Sequence, residues 1–270
     1  MKICFIGGGN MATALIGGLI GKGFAATQIS VVEINAGSRA KLQQDFAVRA
    51  VETTAEGVQG SDCIVLAVKP QQLREVAQQL APVLKKQQLL ISIAAGIRAQ
   101  DLARWANSQN VVRAMPNTPA LIQAGMTGLY ALPEVNAVQR EQAQSIMNAV
   151  GDSLWLDDEA MLDAITAISG SGPAYVFYFI EALERAAMEL GFVKHDARNL
   201  SLATFLGASK LAASSNEDVS VLRTRVTSKN GTTERALLSL ADNNVAQHIA
   251  QAAQAAAARS REMGDELGKA

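Results

Sequence analysis

The sequence has little of what most often carries catalysis. Its 270 residues include two histidines and two cysteines. Both histidines, His195 and His248, fall in helix-boundary or polar helical stretches, which gives neither the setting of a catalytic acid or base. Cys4 and Cys63 lie in apolar runs that read as buried strands, so they are expected to be reduced core residues. Their spacing builds no disulfide framework and no Cys/His metal site, and no metal is expected. No Tyr-x-x-x-Lys pair occurs, and no pair of carboxylates is presented at a predicted strand end. Charge of one sign is also lacking: the net charge of −1 gives no pull toward nucleic acid or an anionic membrane. No apolar run approaches the roughly 18 residues of a membrane span. The apolar run at the N-terminus is short and interrupted by glycine, unlike a secretory leader, so the cytoplasm is the expected compartment.

What the chain does have is apolar content, 49% against 18% charged, which marks it as globular. It is long enough for two domains with cores of their own. Ile3, Cys4, Phe5 and Ile6 form a short β-forming run, and Gly7, Gly8 and Gly9 break it. A helical pattern then follows over 11–21. Strand, glycine turn and helix is the order that a dinucleotide pyrophosphate needs. The glycines let the backbone turn and approach the phosphates, and the helix start offers free N–H groups and a positive dipole end. The fingerprint reads Gly7-x-Gly9-x-x-Ala12, with Ala12 at the helix-packing position. A tight structural turn without a ligand is the alternative reading.

Further strands are predicted over 28–34, 48–51, 63–68, 89–93, 111–114, 125–131 and 153–156, with helices over 36–46, 71–84, 134–150 and 160–168. Glu33 follows the fingerprint at about the ~20-residue distance where an acid accepts the adenosine ribose 2′-OH. Asn35, Ser38 and Arg39 follow at once, and Arg39 suits a 2′-phosphate, so this stretch leaves the choice of cofactor open. The strand over 63–68 is apolar throughout, as a parallel strand buried on both faces should be. It ends at Lys69-Pro70, which places Lys69 where it can meet a phosphate or a substrate. Ala94-Ala95-Gly96 and Met115-Pro116-Asn117-Thr118-Pro119 reach the same sheet edge. Asp157 and Asp158 suit the start of the next helix, while Glu159 is a candidate ligand.

After 169–173 no strand signal remains. Helices are predicted over 174–190, 196–214, 219–225 and 243–267, with another beginning near Thr232. The first of these is apolar over most of its circumference, and such a helix expects to be covered on nearly all sides. A homodimer built on these helices is therefore expected. The loop 227–233 combines Gly231 with several hydroxyls ahead of a helix. Free N–H groups there would bind a carboxylate, with Ser228, Thr232 and Thr233 as further donors. A Ser/Thr cap without a ligand is the other reading. Reducing a ketone normally demands a proton donor of matched pKa, and none is evident. An imine protonated on nitrogen is already electrophilic and needs only orientation against a hydride donor, which suits this chain better.

Taken together these segments resemble the pyrroline-5-carboxylate reductase family. The resemblance is carried by Phe5-Ile-Gly-Gly-Gly-Asn-Met11, Ala67-Val-Lys-Pro70, Ala94-Ala-Gly96, Met115-Pro-Asn-Thr-Pro119, Ser169-Gly-Ser-Gly-Pro-Ala-Tyr175 and Val226-Thr-Ser-Lys-Asn-Gly-Thr-Thr233. It implies an α/β chain: a Rossmann-type dinucleotide-binding domain over 1–158, then an all-α dimerisation and substrate-binding domain over 159–270. It implies reduction of Δ1-pyrroline-5-carboxylate to L-proline with NADPH, NADH being the alternative donor, in an interlocked dimer that associates further into a decamer. Cofactor contacts would come from Ile6, Gly7, Gly8, Gly9, Asn10 and Met11, from Ala67, Val68, Lys69 and Pro70, and from Ala95 and Gly96. Ser228, Gly231 and Thr232 would hold the substrate carboxylate. Thr233 would bond the ring nitrogen as the catalytic group, with Asn117 and Glu159 near the substrate. Lys229-Asn230 departs from the family's usual Pro-Gly, and Glu33 stands where many members carry Ser or Thr. Two other readings remain: a two-domain dehydrogenase of β-hydroxyacids or ketones, and a non-catalytic nucleotide-binding protein. The first usually depends on a lysine in the long interdomain helix, and 174–190 has none.

Overall fold

The computed structural model describes residues 1–269. Its sheet is built from β1 (Ile3–Ile6), β2 (Ile29–Val32), β3 (Arg49–Val51), β4 (Cys63–Leu66), β5 (Leu89–Ser92), β6 (Val111–Met115), β7 (Gly125–Ala131) and β8 (Gly151–Trp155). Their order is β3-β2-β1-β4-β5-β6-β7-β8. Every pairing is parallel except β6 with β7. Alternate residues of β1 serve opposite faces, as the two-residue strand period requires. Ile3 and Phe5 join α1 (Asn10–Gly21) through Leu15, Ile16 and Leu19. Cys4 and Ile6 join the layer of α4 (Pro70–Leu80) and α5 (Ala99–Ala106) through Leu73, Leu80 and Leu102. Each such fully buried aliphatic side chain contributes about 1.5–3 kcal/mol, which is why a continuous apolar run here is a central strand.

The remaining helices are α2 (Ala36–Phe46), α3 (Thr54–Gly57), α6 (Ala137–Met147), α7 (Met161–Ile165), α8 (Gly172–Glu189), α9 (Lys194–Ala213), α10 (Val219–Arg225), α11 (Thr232–Asp242) and α12 (Val245–Lys269). Several differ from the sequence expectation for local reasons. α6 starts at Ala137 because Asn136 and Gln139 form a reciprocal capping box. α4 ends at Leu80, just ahead of Ala81-Pro82. α7 passes into a π-helical turn over Thr166–Gly170, where Ser171 N–H donates to Thr166 O at 2.8 Å. No element was expected over 97–110, yet Ala99, Leu102, Ala103 and Ala106 bury one face of α5 there.

The chain divides into two compact units, 1–171 with 256–270, and 172–255. The sequence division at 158/159 therefore differs from the division by contacts. α7 and the π turn join the first unit because Gly128 of β7 lets Leu162 and Ile165 lie close against the sheet. The end of α12 joins it through the Arg98–Asp265 ion pair, the Arg104 bond to Gly268 O at 3.1 Å and the Ser260 bond to Asp163 at 2.6 Å. In the second unit, α8 packs on α9, and the described buried residues are Ala197 and Ser201 alone.

Candidate functional site

The strand order reverses at β1 and β4, where ligands of such sheets bind, beyond the carboxyl ends of the strands. A groove of about 750 Å³ lies there. Ile6, Gly7, Gly8, Gly9, Glu33, Ala67, Val68 and Lys69, all named from sequence as candidate cofactor contacts, line it. Gly7 has φ +98°, and a Cβ on it would sit 2.6 Å from Ala67 O. A Cβ on Gly9 would meet no protein atom within 4 Å, so that glycine keeps open a space the protein itself does not fill. α1 begins at this point with Gly9 as its N-cap, no side-chain cap and no acidic residue in its first turn. Unpaired N–H groups at an open notch suit a pyrophosphate, so the residues present fit a dinucleotide.

The end of the groove beside β2 is more acidic than the sequence suggested. Glu33 accepts the Gly8 N–H through Oε2 at 3.0 Å and the Asn35 N–H through Oε1 at 2.9 Å. Arg39 donates to the carbonyls of Glu33 and Ile34 at 2.8 and 2.9 Å, and to Glu52 at 3.0 Å. Asn35 Oδ1 caps α2 by accepting the Ser38 N–H at 2.9 Å. Glu52, Thr53 and Thr54 after β3, and Gln72, Glu75, Val76 and Gln79 on α4, also line the groove. Sequence reasoning missed these. The signal available was the strand order, since the end of β3 lies beside that of β2.

Other expected contacts sit elsewhere. Asn10, Met11 and Pro70 belong to helix starts beside the groove and are not in its lining. Gly96, with φ +72°, is buried, and a Cβ on it would lie 3.2 Å from Met263 Cβ, so this loop is closed by the end of α12. Ala95 beside it is half-buried. Asn117 is committed within the first unit: Nδ2 donates to Ser169 O and Oγ at 3.1 and 3.0 Å, and Oδ1 accepts the Met126 N–H at 2.9 Å. Glu159 Oε1 accepts the Ala99 N–H at 2.7 Å, capping α5 from outside, and Arg113 Nη1 at 2.8 Å. Both side chains, expected near the substrate, already have protein partners of their own. Arg113, in mid-strand and buried, was not singled out by the sequence.

In the second unit the loop before α11 has the features of an anion site. Gly231 is the N-cap of α11, extended at φ −87° and ψ 176°, and no side chain caps the helix. Its own N–H turns back to Ser228 O at 3.0 Å, while Asn230 adopts φ 59°. Among the described residues no backbone acceptor takes the N–H groups of Thr232 and Thr233. The Ser/Thr cap weighed from sequence does not form, and Glu234 instead reaches back to the Asn230 N–H at 2.6 Å. Neither histidine lies in this loop: His195 bonds Asn199 at 3.0 Å, and His248 lines an apolar groove with Tyr175 and Tyr178. Burial pushes the Cys4 and Cys63 thiols up to about 12, so neither supplies a thiolate. No group of metal-ligating side chains occurs among the described residues.

Comparison with known proteins agrees with this geometry. A family model described as pyrroline-5-carboxylate reductase dimerisation matches residues 159–263, and one described as NADP oxidoreductase coenzyme F420-dependent matches 2–96. A pyrroline-5-carboxylate reductase of Pseudomonas aeruginosa is 49% identical over 99% of this chain and 98% of its own. One from Arabidopsis thaliana is 34% identical over 97% and 95%. Among solved structures, a pyrroline-5-carboxylate reductase of Coxiella burnetii superposes with a TM-score of 0.93 at 39% identity, covering 97% and 98% of the two chains. The Plasmodium falciparum pyrroline carboxylate reductase with NADP bound gives 0.86 at 30%, covering 98% of each. Likeness of this extent, over both the nucleotide groove and the late hydroxyl loop, means that the chain belongs to the pyrroline-5-carboxylate reductase family.

Proposed function

We propose that the protein reduces Δ1-pyrroline-5-carboxylate to L-proline, the last step of proline biosynthesis, with NADPH as donor and NADH as an alternative. The observation that carries this reading is the uncapped start of α11 at Gly231. A helix N-terminus without a side-chain cap holds a carboxylate through its free N–H groups and dipole. The Thr232 and Thr233 amides, with the Ser228 hydroxyl beside them, bind the substrate's carboxylate in this reading. The Thr233 hydroxyl then bonds the ring nitrogen and orients the imine. Gly7, Gly8, Gly9 and the start of α1 would hold the dinucleotide, which would supply a hydride for the imine carbon. Because the imine nitrogen is basic enough to arrive protonated, no buried acid is required, in keeping with the high thiol pKa values and the placement of the histidines.

The single chain leaves α8 without a buried residue, and Phe177 and Tyr178 are 66% and 68% exposed. Apolar surface on that scale supports a homodimer through the helical unit, and a decamer assembled from five such dimers is part of the same proposal. No helix among the described residues is long and apolar enough to cross a membrane. The two free buried cysteines support a cytoplasmic setting. The test is direct: purified protein with pyrroline-5-carboxylate should oxidise NADPH or NADH with stoichiometric formation of proline. No turnover with either donor removes the assignment.

A further inference from the structure

The residues around the ribose end of the nucleotide groove are arranged against a phosphate. Glu33 is half-buried, and its carboxylate is fixed by the Gly8 and Asn35 N–H groups, one on each oxygen. It cannot swing aside without orphaning both donors. Each oxygen keeps a lone pair, and two ribose hydroxyls can donate to them, whereas a 2′-phosphate would place about −1.5 to −2 charges against a carboxylate. Glu52 and Glu75 line the same groove. Lys69 lines the groove on the β4 side; on the side of Glu33 the cation able to offset a phosphate is Arg39, and it is already occupied. One guanidinium nitrogen serves two backbone carbonyls, and the other pairs with Glu52 at 3.0 Å. The Asn35 amide oxygen is spent on capping α2.

We propose that Glu33, together with an Arg39 held away by Glu52, makes this groove a receptor for the unphosphorylated ribose, so that NADH binds at least as tightly as NADPH. Glu33 is the binding residue in this arrangement, and Glu52 is a positioning residue that acts through Arg39. Both nucleotides remain donors; the inference concerns the balance between them and rests on the groove being the dinucleotide site of the proposed reductase.

Equilibrium binding tests it without turnover. The full-length protein is titrated with NADH and with NADPH, following nicotinamide fluorescence, with no imine present. The wild type should bind NADH as tightly as NADPH or more so. Glu52→Gln should tighten NADPH by about tenfold while leaving NADH within about twofold, because a freed guanidinium gains a charge-assisted partner that only NADPH offers. Adding Arg39→Met to that variant should abolish the gain, and Glu33→Gln should weaken NADH and strengthen NADPH. A merely structural role for Glu52 would move both affinities together. The proposal is overturned if the wild type favours NADPH by more than about twofold, or if Glu52→Gln leaves the ratio of the two affinities unchanged. Binding of neither nucleotide overturns it together with the dinucleotide reading. Normal binding without reduction of pyrroline-5-carboxylate removes the proposed function and leaves this inference standing.

Discussion

Arg113, in the middle of β6, donates to Glu159 Oε1 at 2.8 Å, and the same oxygen accepts the first N–H of α5 from Ala99. The arginine side chain is 7% exposed and the glutamate 20%. One carboxylate thus neutralises a cation inside the sheet and caps a helix whose own N-cap residue, Arg98, has no side-chain bond to offer. We expect Glu159→Gln to destabilise the protein by about 2–3 kcal/mol in chemical denaturation, since it leaves a buried guanidinium without a counter-charge. Combining it with Arg113→Met should recover part of the loss, because no buried cation remains. KM for the imine should stay near wild type in whatever fraction folds. A raised KM with unchanged stability would return Glu159 to direct substrate contact.

Gly7 and Gly9 should respond oppositely to the same substitution. Gly7→Ala puts a Cβ 2.6 Å from the Ala67 carbonyl oxygen at a φ of +98°, so thermal unfolding should show a loss of about 1–3 kcal/mol. Gly9→Ala meets nothing in the protein and sits at an ordinary extended φ of −71°. Its stability should fall by less than about 1 kcal/mol. Nucleotide affinity should nonetheless drop by about tenfold or more, since the methyl group occupies the notch meant for phosphate oxygens. Unchanged affinity in Gly9→Ala would move the pyrophosphate elsewhere.

The sequence disclosed what is local. β1 was legible because four consecutive apolar residues end at glycines, and α2 was expected over 36–46, where the structure places it as Ala36–Phe46. The start of α11 was legible for the same reason, a glycine next to two threonines. What stayed hidden depends on partners distant in the chain. Arg113 looked like part of an apolar strand until Glu159 came beside it. Glu52 was not singled out in the sequence, yet strand order brings it to Arg39. Asn117 stood out as a loop residue, but its hydrogen bonds to Ser169 and Met126 are tertiary and left no trace nearby.

Phe177 and Tyr178 lie on α8, where the single chain buries no residue. Wild-type protein should run at twice the chain mass or a higher multiple in light scattering. Phe177→Glu combined with Tyr178→Glu should shift the population to lighter species by about tenfold or more in the association constant, because a carboxylate on a covered apolar face must be desolvated or exclude the partner. A monomeric wild type, or a double variant that assembles normally, would place the dimer contact on another face.

Thr232 and Thr233 separate the roles of backbone and side chain at α11. Thr232 is the first helical residue, where proline is tolerated, and Gly231 before it is extended at ψ 176°, a conformation that a following proline accepts. Thr232→Pro therefore deletes one N–H donor while leaving the helix able to form. If that amide holds the substrate carboxylate, KM should rise about tenfold or more with kcat largely kept, the loss of one charge-assisted hydrogen bond being worth roughly 1.5–3 kcal/mol. Thr233→Ala removes a hydroxyl assigned to the ring nitrogen, whose charge changes during hydride transfer, so there the loss should fall on kcat, by about tenfold to a hundredfold. Thr233→Ser should restore most of it, since the hydroxyl returns without the methyl group. Should Thr232→Pro lower kcat alone, or Thr233→Ala turn over at the wild-type rate, the carboxylate and the reacting nitrogen would have to be held by other groups. The start of α11 would then be a helix end left to solvent.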